Sequence, residues 1–128
     1  MVILDTCTLL WLAADAKKLS EKAKRTITTN SSALSVSAIS GFEVAIKHRS
    51  KKLTLPLPPQ QWFSEALLFH GIHEIPVTSS VAIASVQLPL LHNDPCDRII
   101  MATARIHSLT VITCDRLIAQ YDDVEVVW

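Results

Sequence analysis

Val2-Ile3-Leu4-Asp5-Thr6-Cys7-Thr8-Leu9-Leu10-Trp11-Leu12 opens the chain with a short apolar run that ends on an acid and passes at once into helix-compatible residues. Residues 2–5 predict a strand and residues 7–14 a helix, which puts Asp5 at the carboxyl end of the strand. Open α/β sheets place their ligand sites there, in the crevice outside the strand ends. Three more acids recur in comparable settings. Glu43 is early in the helix after the strand Ala33-Leu34-Ser35-Val36-Ser37, and Asp97 is in the first turn of a helix opened by Asp94-Pro95. Asp115 follows the strand Leu109-Thr110-Val111-Ile112-Thr113.

Extending outward from this opening, the pattern predicts strands over 2–5, 33–37, 72–77, 109–113 and 124–127. Helices are expected over 7–14, 20–29, 39–50, 59–70, 79–87, 95–107 and 115–120. Short β-branched runs alternating with helices indicate βαβ units, hence a three-layer α/β/α sandwich around a mainly parallel sheet of about five strands. Ser20 before Glu21, Ser40 with Glu43 at capping-box spacing, and Asp94 before Pro95 mark helix starts. Leu53-Thr54-Leu55-Pro56-Leu57-Pro58-Pro59 carries three prolines and is expected as an extended connection between two helices. The helix from Pro95 is apolar on nearly every side and is expected to be buried between layers.

The chain has 128 residues, 49% of them hydrophobic and only 2 glycines, which fits one domain over 1–128. A chain near this size buries roughly two-thirds of its unfolded surface, so disorder is excluded as its main character. No apolar stretch approaches the roughly 18 residues that span a bilayer. Cys7, Cys96 and Cys114 are odd in number and lack C-x-x-C spacing, which fits a soluble cytoplasmic protein in a reducing compartment. The five histidines form no paired ligand motif, so the ligands expected for any metal are oxygens, favouring Mg²⁺ or Mn²⁺ over zinc.

Net charge is +0, but through residue 52 there are nine Lys/Arg against four Asp/Glu, and after it three against eight. That asymmetry suggests a polarised surface. Lys47, Arg49, Lys51 and Lys52 gather at the end of the Glu43 helix, where the helix dipole already favours cations and where phosphates could also be met. Trp11, Trp62, Phe63, Leu67 and Leu68 serve either as core or as a groove for a partner.

Each acid has a local explanation. Asp5, Asp94 and Asp115 suit N-caps, Asp97 suits the positive end of a helix dipole, and Glu43 suits a capping box or an i,i+4 pair with Lys47. Capping would accept Ser, Thr or Asn, however, whereas acids recur at three βα junctions and in the first turn of a further helix. Two unit charges about 5 Å apart repel by roughly 3 kcal/mol at an effective dielectric of 20. A divalent cation reverses that sign.

These motifs together resemble the PIN domain, and more narrowly the VapC-type toxins of bacterial toxin-antitoxin pairs. The likeness rests on Val2-Ile3-Leu4-Asp5-Thr6, on residues 37–47 around Ser40-Gly41-Phe42-Glu43, on His92-Asn93-Asp94-Pro95-Cys96-Asp97-Arg98 and its helix, and on Thr113-Cys114-Asp115 before a terminal strand closing at Trp128. Gly41 and Cys96 stand where the family more often has bulkier apolar residues, and Cys114 commonly is Arg. The resemblance implies a Mg²⁺-dependent endoribonuclease, with Mn²⁺ able to substitute, using Asp5, Glu43, Asp97 and Asp115 as an acidic quartet. It implies Asp5, Asp97, Asp115 and the additional acid Asp94 at the metal, with the hydroxyls of Thr6 and Thr113 beside it and Glu43 acting on the attacking water. It further implies a small antitoxin as partner and pairing as a homodimer. A catalytically silent PIN-like module that binds RNA or protein is the alternative. A haloacid-dehalogenase-type enzyme would need an acid where Cys7 stands.

Overall fold

The computed structural model describes residues 1–128. Five strands form a parallel sheet: β1 (Val2–Leu4), β2 (Leu34–Ser37), β3 (His73–Ile75), β4 (Thr110–Ile112) and β5 (Val126–Val127), in the order β3-β2-β1-β4-β5. Six α-helices connect them: α1 (Thr6–Ala14), α2 (Glu21–Thr29), α3 (Ile39–Arg49), α4 (Pro59–His70), α5 (Ser79–Gln87) and α6 (Pro95–His107). β1 is central, with Leu4 beside Val36 of β2 on one side and Ile112 of β4 on the other. The chain leaves β1 first towards β2 and β3, then crosses to β4 and β5. This reversal makes the β1/β4 boundary the switch point where a crevice opens.

Side-chain alternation along the strands splits the core in two. Val2, Leu4, Val36 and Ile112 pack with Leu9 of α1, Ala23 and Ile27 of α2 and Leu67 of α4. Ile3 and Val111 point the other way, onto Val81 of α5 and Ile100, Met101 and Ala104 of α6. Every residue of β1 is buried, as a central strand covered on both faces requires. A third cluster, Val44 with Trp62 and Ala66, joins α3 to α4. This is the three-layer α/β/α sandwich expected from the alternation of strands and helices.

Ser20 accepts a hydrogen bond from the Ala23 amide and Asp94 from the Asp97 amide, so both helix starts fall where expected. Two local expectations fail. Ser40 is no N-cap: α3 already begins at Ile39, and the Ser40 hydroxyl is turned to Thr6 instead. No α-helix forms over 115–120, where only a 3-10 turn at Ile118–Gln120 is present. There the Thr113 hydroxyl accepts from the Asp115 amide and the Asp115 carboxylate from the Leu117 amide, so side chains have taken the amides a helix start would use.

The aromatic and leucine positions divide between the two roles considered for them. Trp62 and Leu67 are buried, Trp11 and Phe63 half-buried, and Leu68 is 84% exposed. No helix is long and apolar enough to cross a membrane.

Candidate active site

Asp5 ends β1 and caps α1. Its Oδ1 accepts from the Thr8 amide at 2.8 Å and its Oδ2 from the Thr113 hydroxyl at 2.5 Å. The same Thr113 oxygen accepts from the Asp115 amide at 3.0 Å, so one hydroxyl ties the end of β1 to the loop after β4. Thr6 does the corresponding work on the other side. It donates to Glu43 Oε1 at 2.5 Å and shares a 2.9 Å bond with Ser40. Glu43 is thereby turned towards the sheet rather than back to its own helix terminus, which removes the capping-box account of this residue.

Asp97 and Asp115 meet through a histidine. His92 Nε2 lies 2.9 Å from Asp115 Oδ2 and 3.1 Å from Asp97 Oδ2, and the ligand atoms of all three are within 4.8 Å of one another. Asp94 is exposed at the N-terminus of α6, and its carboxylate gathers with Glu43 and the Cys96 thiol. Of the four cations considered for substrate contact, Lys47 is half-buried and its field reaches Glu43. Arg49, Lys51 and Lys52 lie exposed at the end of α3 and beyond it. Sequence patterns single out the acids and the resemblance adds the two threonines, whereas the place of His92 in the site is decided by acids that arrive from other elements.

The electrostatics follow from the crowding. Burial pushes the Asp97 carboxyl up to about 7, reinforced by the charges of Asp94, Glu43 and Asp5 and only partly offset by His92. Burial also raises Glu43, against the hydrogen bond from Thr6 and the charge of Lys47. Asp5 is raised by burial as well, against the bonds from Thr113 and Thr8. Oxygen donors that resist ionisation because they are buried beside one another form a set that a hard divalent cation satisfies. Those present fit Mg²⁺ or Mn²⁺: carboxylates from the end of β1, from α3, from α6 and from the loop after β4.

A pH dependence follows for the metal-free protein. Asp97 ionises less readily folded than unfolded, where its ordinary value is 3.8. Its contribution to stability is therefore fully present below that value and is lost as pH rises through about 7. In EDTA the melting temperature is expected to fall between about pH 5 and about pH 7.5, and Asp97→Asn is expected to flatten that decline. Thermal unfolding across this range checks both.

The order of the strands, the acids at the β1/β4 switch point and the hydroxyls beside them describe a known class. The PIN domain family matches residues 2–124, and the chain belongs to that family. Over 116 residues it is 34% identical to Ribonuclease VapC22 of Mycobacterium tuberculosis, covering 90% of this chain and 87% of that protein. Its fold is similar to that in a toxin-antitoxin complex from Klebsiella pneumoniae, with a TM-score of 0.68 at 22% identity over 100% of this chain and 97% of that one. It is likewise similar to VapBC2 from Rickettsia felis bound to a DNA fragment from its promoter, with a TM-score of 0.70 at 12% identity over 99% and 98%.

Proposed function

We propose that this protein is a divalent-metal-dependent endoribonuclease, the toxin of a VapBC-type toxin-antitoxin pair, acting in the cytoplasm as one PIN-like domain over 1–128. The observation that carries this reading is the meeting of acids from separate elements: Asp97 and Asp115 come within 3.1 Å and 2.9 Å of His92 Nε2, and the Glu43 and Asp94 carboxylates gather beside the Cys96 thiol. The similarity to Ribonuclease VapC22 supports RNA as the substrate class.

Asp5, Asp97 and Asp115 would hold Mg²⁺, or Mn²⁺ in its place, with Asp94 as a further acid at the rim. Bound there, the ion supplies water activation, neutralisation of phosphate charge and stabilisation of the leaving oxygen. The protein's own groups do the rest. Glu43, raised by burial and held by Thr6, orients the attacking water and takes its proton. Thr113 fixes Asp5 and, through the Asp115 amide, the loop after β4. Lys47 is the one cation whose field enters the crevice, and it is assigned to the scissile phosphate. Arg49, Lys51 and Lys52 are assigned to flanking phosphates. Replacing Arg49, Lys51 and Lys52 with Gln is expected to weaken RNA binding and to reduce its salt dependence by up to about two units of slope, read from binding titrations at several salt concentrations.

The antitoxin is assigned to an apolar groove of about 740 Å³ lined by Leu12, Pro56, Leu57, Trp62, Leu68 and Phe69. Leu68 and Phe69 are 84% and 83% exposed, as a side chain awaiting a partner would be. VapBC complexes among proteins of the same fold support such a partner. Pairing as a homodimer belongs to the same proposal.

One experiment tests the reading. Purified protein is expected to cleave RNA in millimolar Mg²⁺ and not in EDTA, and the same Mg²⁺ is expected to raise its melting temperature by a few degrees. Neither cleavage nor a thermal shift with either Mg²⁺ or Mn²⁺ would favour a silent binding module instead.

A further inference from the structure

His92 is buried, and besides the acids it faces it is held at three points, two on its backbone and one on its ring. Its amide donates to the Tyr121 hydroxyl at 2.9 Å, its carbonyl accepts from Arg98 Nη1 at 2.9 Å, and its Nδ1 accepts from the Asp94 amide at 3.1 Å. A backbone N–H only donates, so Nδ1 presents its lone pair and the ring proton sits on Nε2. That proton is donated to Asp115 Oδ2 at 2.9 Å, and Asp97 Oδ2 lies 3.1 Å from the same nitrogen as a close electrostatic contact. A nitrogen bearing a proton is a donor and not a metal ligand.

We infer that His92 is a positioning residue of the acidic site: its Nε2–H holds the carboxylate of Asp115, on the loop after β4, beside that of Asp97, on α6. The inference rests on the metal-dependent reading above and extends it to a residue outside the acidic quartet. The physical need is plain. The two carboxylates come from separate elements and repel each other, and Asp115 lies in a short turn held by the Thr113 hydroxyl and by the Leu117 and Ala119 amides. A donor bonded to Asp115 and lying against Asp97 offsets that repulsion and sets the spacing before any cation arrives. Hydrogen bonds from an outer residue to carboxylate ligands act in this way, and their loss typically weakens metal affinity 10- to 100-fold. Arg98 and Tyr121 belong to the same device. They bind the backbone of 88–92 from α6 and from the end of the 3-10 turn, so the ring cannot retreat.

The test is Mn²⁺ binding to the purified full chain without RNA, followed by electron paramagnetic resonance. Two variants separate the two ends of the ring. His92→Asn keeps a group at the Nδ1 position for the Asp94 amide but stops short of the acids, whereas the amide nitrogen of His92→Gln reaches the Nε2 position. His92→Asn is expected to bind Mn²⁺ about 10-fold or more weakly, and His92→Gln to stay within about threefold of the parent. Melting temperatures of the metal-free variants establish that each is folded. A His92→Asn variant with parental affinity, or a folded His92→Gln variant as weak as it, overturns the inference. Asp97→Asn, measured alongside, distinguishes the two levels. If Asp97→Asn loses affinity while His92→Asn does not, only the role of His92 falls. If the parent itself takes up no Mn²⁺, the metal-dependent reading falls and the inference with it.

Discussion

Asp97→Asn is expected to lower metal-dependent RNA cleavage at least on the order of 100-fold while making the metal-free protein more stable at neutral pH. The two effects have one cause. Asp97 sits in the first turn of α6, where its carboxyl is raised to about 7 by burial and by Asp94 and Glu43. Asn retains the size of the side chain but removes the charge. Catalysis loses an anionic oxygen the cation needs, and folding loses a repulsion it had to overcome. Because the side chain keeps 21% of its surface, solvent screens that repulsion, and a gain on the order of 1 kcal/mol is expected rather than the full value of the shift. The opposite signs exclude misfolding as the cause of lost activity. Asp5→Asn is expected to lose cleavage to the same extent. Undiminished cleavage by both variants, measured with a catalytically dead control for contaminating nuclease, would falsify the quartet.

Arg98→Met is expected to destabilise the protein by about 3–5 kcal/mol, read as a lower urea midpoint. Arg98 is 7% exposed and has no carboxylate partner within ion-pair distance. Its guanidinium is spent on carbonyls: Nη1 donates to Pro89 and His92 at 2.9 Å each, and Nη2 to Leu88 at 2.7 Å and Val86 at 3.3 Å. Val86 belongs to the last turn of α5, and Leu88 is its C-cap, so the charge satisfies carbonyls that the helix end leaves without amides. Met fills much of the volume and offers none of those bonds. Lys would carry the charge but lacks the planar fork that reaches four acceptors, so Arg98→Lys should recover only part of the loss. Since His92 hangs from the same guanidinium, Mn²⁺ affinity should decline in step with stability in both variants.

The signal for Arg98 is present in the sequence in one form: a cation followed directly by Ile99, Ile100, Met101 and Ala102 in a helix apolar on nearly every side. What it would bind was not legible, because the carbonyls belong to 86–92. Glu43 shows the same limit. At i+3 from Ser40 it fits a capping box, a local rule satisfied by spacing alone, yet Thr6, 37 positions away, takes its carboxylate. The expected last helix failed for a related reason: Thr113 and Asp115 are good turn formers, and once Thr113 is engaged by Asp5 the turn wins over the helix.

What the amino-acid sequence determined by itself is the alternation of strands and helices and the placing of acids at strand ends and first turns. Both depend on periodicities and capping preferences that act over a few residues. Only the tertiary structure decided which side chain restrains each acid: Thr113 for Asp5, Thr6 for Glu43, His92 for Asp115. Those partners are set by strand order, which puts β1 between β2 and β4 and so closes separations of up to 108 residues. No local propensity records that order, because it arises from burying both faces of one sheet at once.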